Sequence, residues 1–189
     1  MNNVDDFIFT SNAIPTKLCR ELIKECENAK WEKHRWSVYG KNETEYSYPQ
    51  KELDMVYSTT QQFHTLGPLI MKAVVAYQEK VSWPDKHTKA QWIEHITQVR
   101  FNKYTEGTKM RTHYDHIRSM FDGKMKGIPI LAIVGLLNDN YEGGEFMMRG
   151  KEVKLVRGDI LIFPSNFMYP HEVKEITEGV RHSFVSWAF

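Results

Sequence analysis

The stretch "PILAIVGLLND", residues 129–139, is apolar at nearly every position from Ile130 to Leu137. That pattern suits a strand buried on both faces. Similar short runs surround it. "WIEHITQVRFNKY" (92–104) alternates, and "EFMMRG" (145–150), "EVKLV" (152–156), "DILIFP" (159–164) and "RHSFVSWAF" (181–189) follow. Gly143-Gly144, Gly150, Gly158 and Pro164 punctuate the series, as turns between strands require. Such a succession predicts a sandwich or a small barrel.

Working outward, "FIFTSNAI" (7–14) reads as a strand and "PTKLCRELIKECENA" (15–29) as an amphipathic helix. Pro15 stands near its first turn, and Leu18, Cys19, Leu22, Ile23 and Cys26 form its apolar stripe. Residues 31–57 are aromatic and charged without a clean period, and are expected to form a strand and a long loop. A second helix is expected over residues 58–81, opened by a capping box Ser58-x-x-Gln61. Gly67-Pro68 should break or restart it, and Pro84 should end the region. The expectation is an α+β fold in a single domain, residues 1–189. Residues 1–90 give helical and loop support on one side, and residues 91–189 form the β core.

Bulk composition narrows the class. At 189 residues, 41% hydrophobic and 26% charged, the chain is an ordinary globular one with a sizeable core. A net charge of +1 offers no footprint for nucleic acid or for an anionic membrane. No apolar run approaches a membrane span, and "MNNVDDFIFTSN" shows no signal-peptide pattern, so a cytoplasmic location is expected. Cys19 and Cys26 would stand about 10 Å apart along one helix, too far for a disulfide. Both read as reduced, buried thiols.

Among eight histidines, two stand out by context. His113 and Asp115, in "RTHYDHIRSMF", are two residues apart, so in a strand both project from one face while Tyr114 and His116 face away. Two ligands are too few to hold a metal. His171 follows "GDILIFPSNFMYP", a buried strand closed by proline, which would deliver a side chain to a barrel mouth. His113, Asp115 and His171 together would form a two-histidine, one-carboxylate triad leaving three metal positions open. His34, His64 and His87 lie among charged residues and read as solvated surface. In the last strand, Arg181, Ser183, Val185 and Trp187 share one face, and Val180, His182, Phe184 and Ser186 the other. Each face mixes polar and apolar groups, so periodicity leaves open which is inside. If the first is, the strand buries a guanidinium that needs an anionic partner.

In order and spacing, these residues resemble the iron(II)- and 2-oxoglutarate-dependent dioxygenases, most closely the prolyl 4-hydroxylase-like branch. The motifs are "VRFNKYTEGTKMRTHYD" (99–115), "GLLNDNYEGGEFMM" (135–148), "RGDILIFPSNFMYPHEV" (157–173) and "GVRHSFVSW" (179–187), with "FIFTSNAIPTKLCRELIKECE" (7–27) resembling the branch's opening. Residues 31–90 are weakly covered. The resemblance implies a double-stranded β-helix, or jelly-roll, core with amino-terminal supporting helices. It also implies iron(II) on His113, Asp115 and His171, 2-oxoglutarate as cosubstrate, and ascorbate as an accessory reductant. Arg181 would pair with the distal carboxylate of 2-oxoglutarate, with Ser183 and Tyr104 assisting. Trp187, Leu136 and Val173 would line the pocket; Leu136 occupies a position where some relatives carry tyrosine. An apolar wall of Val173, Ile162 and Val185 is expected beside the metal.

The activity implied is hydroxylation of an unactivated C–H bond in a prolyl residue of a protein or peptide. An oxygenase of the same fold acting on a free amino acid or other small molecule, and a non-enzymatic jelly-roll binding module, are the competing readings. A zinc peptidase fails, because "HEVKE" (171–175) puts Glu175, not histidine, four residues after His171. Trp36, Tyr39, Tyr46 and Tyr48 are the candidates for contacting an extended peptide, if residues 36–57 form a lid.

Overall fold

The computed structural model describes residues 3–39, 44–81, 93–115 and 129–189. After a 3-10 turn at Val4–Phe7, the first half forms β1 (Phe9–Asn12), α1 (Thr16–Cys26), β2 (Glu32–Lys33), β3 (Trp36–Tyr39), β4 (Thr44–Ser47), β5 (Asp54–Tyr57) and α2 (Thr60–Val81). The second half forms β6 (Arg100–Tyr104), β7 (Met110–His113), β8 (Leu131–Leu136), β9 (Tyr141–Gly143), β10 (Phe146–Met148) and β11 (Lys151–Glu152). It continues with β12 (Asp159–Pro164), β13 (His171–Val173), β14 (Ile176–Gly179) and β15 (Arg181–Ala188).

Two antiparallel sheets face each other in a jelly roll. The larger has seven strands in the order β1-β12-β8-β15-β6-β5-β2, and the smaller four in the order β11-β10-β13-β7. β8 lies centrally, between β12 and β15, and every residue from Leu131 to Leu136 is buried. Its alternation divides the apolar interior in two. Leu131 and Ile133 join Ile160, Ile162, Phe184 and Ala188 against the helices. Ala132 and Val134 face the smaller sheet with Leu161, Phe163, Val173 and Trp187. Each well-buried aliphatic or aromatic side chain contributes about 1.5–3 kcal/mol, and both layers are needed because the central strands are apolar on both faces. Where β8 crosses β15, Gly135 lies opposite Phe184, and a Cβ there would strike the Phe184 ring.

α1 buries Cys19, Leu22 and Cys26 of the expected stripe, with Leu18 and Ile23 packed partly against the same layer. Both cysteines are free thiols. α2 differs from expectation at two points. Its capping box is Thr59–Gln62, one residue later than Ser58–Gln61: Thr59 N–H donates to Gln62 Oε1 (2.9 Å) and Gln62 N–H to Thr59 Oγ1 (3.2 Å). The helix also runs unbroken through Gly67-Pro68. An interior proline costs about 3 kcal/mol, but Pro68 is exposed, and Leu66, Ile70, Ala73, Val74 and Tyr77 bury a continuous face across it.

The amino-terminal half does more than support. β1 forms one edge of the larger sheet on β12, and β5 and β2 extend the other edge from β6. Residues 31–57 hold four short strands where one strand and a loop were expected. Conversely, only Lys151–Glu152 of the region around "EVKLV" forms a strand. Pro84, His87 and His116 lie outside the described residues. Among the described residues no helix is long and apolar enough to cross a membrane.

Candidate metal centre and its pocket

β7 and β13 pair antiparallel with His113 opposite His171, which brings the two rings to 4.3 Å between centroids. Asp115 follows two residues beyond His113, just past the end of β7, while Tyr114 points outward and is exposed. Asp115 Oδ1 lies 3.4 Å from His113 Nε2 and 3.8 Å from His171 Nε2. The ligand atoms of the three residues all fall within 4.8 Å of one another. Donors about 2.1 Å from one ion and at right angles to each other stand about 3 Å apart, so a small inward movement would close the set on an ion.

The surrounding contacts orient these ligands. His113 Nδ1 lies 2.8 Å from the Arg111 carbonyl, and His171 Nδ1 3.1 Å from the Tyr169 carbonyl. A carbonyl can only accept, so each Nδ1 carries the proton and each Nε2 presents its lone pair to the centre. Trp187 Nε1–H donates to Asp115 Oδ2 (3.1 Å), leaving Oδ1 directed at the histidines. Burial alone would raise the Asp115 carboxyl. The electrostatic pull of the facing His171 and of His113, with the hydrogen bond from Trp187, outweighs it and holds the group well below the usual carboxylate range. Burial pushes the His171 imidazole down toward its neutral form. A carboxylate beside neutral imidazole is the protonation state a metal requires.

The wall around the ligands is aromatic. Phe146 stacks on His171 at 5.4 Å, Phe163 meets it edge-on at 4.9 Å, and Trp36 meets His113 edge-on at 5.2 Å. Val173 and Val185 belong to this inner layer as expected. Ile162 does not: β12 directs Leu161 and Phe163 inward, and Ile162 packs against the helices.

Further along the interior stands Arg181, 1% exposed. Its Nη1 donates to Ser183 Oγ (3.0 Å), and its guanidinium lies 5.1 Å from the centre of the Tyr104 ring, opposite which it pairs across β15 and β6. Among the described residues, Arg181 Nε has no hydrogen-bond partner and no carboxylate pairs with the side chain. The first face of β15 is therefore the inner one. Leu136 is buried on β8 in register with Ser183. A buried, permanently charged guanidinium without a counter-ion costs several kcal/mol, and the pocket it faces suits a ligand carboxylate. Tyr104 has its hydroxyl raised by burial, against the pull of Arg181 and Arg100, so it stays protonated.

His34 corrects the reading of it as a solvated residue. It is 4% exposed, with Nδ1 3.0 Å from Glu52 Oε2. Glu52 also accepts from Trp36 Nε1 (2.6 Å), and Arg111 reaches within 3.6 Å of its other oxygen while lying 4.3 Å from the centre of the Trp36 ring. This buried cluster, absent from the sequence reading, pins Trp36 against His113. His64 is exposed, as expected. Of the aromatic candidates for substrate contact, Trp36 reaches His113 and Tyr48 is 52% exposed. Tyr39 and Tyr46 stand in the β3–β4 pair, and their side chains lie outside the described part.

The jelly-roll fold and the His113, Asp115 and His171 cluster are of the kind expected of an iron- and 2-oxoglutarate-dependent oxygenase, and comparison with known proteins finds similarity to that class. Residues 99–189 match the family model of the 2OG-Fe(II) oxygenase superfamily. A PKHD-type hydroxylase of Acinetobacter baumannii is 30% identical over 132 residues, 66% of this chain and 54% of that one. Another, from Aliarcobacter butzleri, is 32% identical over 101 residues, 50% of this chain and 44% of that one. The chain thus spans about half the length of these relatives. Among solved structures, a Pseudomonas putida prolyl-4-hydroxylase superposes with a TM-score of 0.67 at 19% identity, covering 98% of this chain and 95% of that one. A Trichoplax adhaerens prolyl hydroxylase, solved with a hypoxia inducible factor peptide fragment, gives 0.68 at 15% identity over 97% and 84%. Both share the fold.

Proposed function

We propose that the protein is an oxygenase that hydroxylates a C–H bond, with iron(II) held by His113, Asp115 and His171 and 2-oxoglutarate held by Arg181. The observation that carries this is the convergence of two imidazole Nε2 atoms and one carboxylate oxygen on a single point, in the same interior as a buried guanidinium with no carboxylate partner among the described residues. When bound, iron and 2-oxoglutarate supply the oxidising chemistry: dioxygen and 2-oxoglutarate give succinate and carbon dioxide, and one oxygen atom enters the C–H bond.

The chain's own groups prepare that site. The Arg111 and Tyr169 carbonyls fix the histidine tautomers, and Trp187 fixes the carboxylate. Arg181, aligned by Ser183 and the Tyr104 ring, receives the far carboxylate of the cosubstrate as a charge-assisted pair. Phe146, Phe163 and Val173 close the space behind His171 and keep water from it.

A prolyl residue in a peptide is the substrate we favour, because relatives of the same fold are prolyl hydroxylases and one was solved with a peptide. A free small molecule is the second reading, since nothing in the ligand set selects proline. Two free buried thiols suit a reducing compartment such as the cytoplasm. Mass spectrometry after turnover with proline-containing peptides tests the substrate. A gain of one oxygen on proline, dependent on 2-oxoglutarate, is the expected result. Oxygen gained only by free amino acids or other small molecules would remove the prolyl claim.

A further inference from the structure

We propose that Arg100 is a specificity-determining residue of this site and selects substrates that carry a carboxylate near the carbon that reacts. The inference rests on the oxygenase reading above and adds the chemical class of its substrate. Arg100 begins β6 on the same face as Asn102 and Tyr104, so its side chain enters the interior that holds the ligands. Its Nε donates to Asn102 Oδ1 (3.1 Å), and its guanidinium lies 5.5 Å from the centre of the Trp187 ring, the ring that holds Asp115. Beyond that one bond the guanidinium makes no hydrogen bond or ion pair with a described residue. The Asp115 carboxylate is near enough to act on it without pairing.

Position separates its task from that of Arg181. Arg181 lies opposite Tyr104, and Val185 opposite Arg100. The two arginines are therefore four residues apart along the paired strands, about 13 Å. Arg181 is sealed, whereas Arg100 is half-buried and its cross-strand neighbour Tyr57, on the inner face of β5, is 54% exposed. Among the described residues Arg181 thus stands at the more enclosed end of the interior and Arg100 at the more exposed end, where we place the substrate. Charge points the same way. With iron(II) and the doubly negative cosubstrate in place, and Glu52 offset by Arg111, Arg100, Arg181 and Asp115 leave the interior one positive charge in excess. A half-buried charge of this kind gains from a counter-ion, and a substrate carboxylate supplies it. Tyr57 and Trp187 flank the position with apolar surface.

The test uses the whole protein loaded with manganese(II) and 2-oxoglutarate under argon, where no turnover occurs. Binding is read by calorimetry for matched pairs: a proline-centred pentapeptide with neighbouring Glu or Gln, a peptide ending in proline with a free or an amidated terminus, and free amino acids against their amides. The expected result is at least tenfold tighter binding of the acid member in one pair, falling to less than twofold in Arg100→Met and retained in Arg100→Lys. In Arg100→Glu the preference should pass to a Lys-containing peptide. Which pair shows the preference tells a side-chain carboxylate from a chain terminus or a free amino acid. Equal binding of acid and neutral members in every pair overturns the proposal, as does a preference indifferent to the charge at residue 100. So does a loss of 2-oxoglutarate affinity, rather than of substrate preference, in Arg100→Met. Failure of the wild-type protein to bind 2-oxoglutarate is a separate result that refutes the oxygenase reading. Repeating the titrations without metal and cosubstrate keeps the two apart.

Discussion

Replacing Arg181 with methionine separates cosubstrate binding from folding. The wild-type guanidinium is 1% exposed, and among the described residues it is hydrogen-bonded only to Ser183, with Nε unpaired. Methionine keeps most of the volume and removes a buried charge without a counter-ion, so ligand-free stability should hold or rise. Cosubstrate binding should lose two charge-assisted hydrogen bonds, about 3 kcal/mol together, or roughly 150-fold in Kd. At a concentration about 100 times the wild-type Kd, 2-oxoglutarate stabilises the wild-type fold by about 2.7 kcal/mol. The same concentration would stabilise the variant by only about 0.3 kcal/mol. For a chain of this size that is a rise in Tm of about 5–10 °C against about 1 °C. Thermal unfolding with manganese(II), with and without 2-oxoglutarate, measures both numbers. An equal rise in the two proteins would show that the carboxylate is held elsewhere. A variant that is much less stable without ligand would show that Arg181 serves the fold.

Three other perturbations test separate layers. Trp187→Phe keeps a ring but removes the N–H on Asp115 Oδ2, and metal affinity should fall by about 10–100-fold; unchanged iron titration would mean that Asp115 needs no such support. Gly135→Ala drives a methyl group into the fully buried Phe184 ring, and should cost about 1–3 kcal/mol in denaturant unfolding; an unchanged midpoint would refute the close packing of β8 on β15. Burial and Lys103 push His182 down to about 4, so the unfolded chain takes up its proton first as pH falls. This group adds no pH dependence above about 6.5; between there and 4 stability should drop by up to about 3 kcal/mol, and His182→Gln should remove that slope.

That His113, Asp115 and His171 would meet was legible because the spacing is local: His113 and Asp115 stand two apart at the end of β7, and His171 opens β13 opposite His113. The inward face of β15 was not, since both faces carry polar groups; it is decided by which side meets the smaller sheet, a matter of long-range pairing. Ile162 was misplaced for a related reason, because β12 is apolar on both faces and periodicity cannot orient it. His34 and Glu52 are 18 residues apart and meet only when β5 extends the larger sheet from β6, so charged neighbours in sequence suggested solvent instead. Pro68 likewise reads as a breaker until the buried face of α2 is seen to continue past it.

The central claim is that His113, Asp115 and His171 hold iron(II) so that 2-oxoglutarate can join it. Anaerobic addition of iron(II) and then 2-oxoglutarate, followed by visible absorption, tests metal and cosubstrate together without a substrate. The account predicts a weak charge-transfer band that saturates at one iron per chain and is absent in His171→Ala with its fold intact. No band in the wild-type protein, or the same band in His171→Ala, would contradict it.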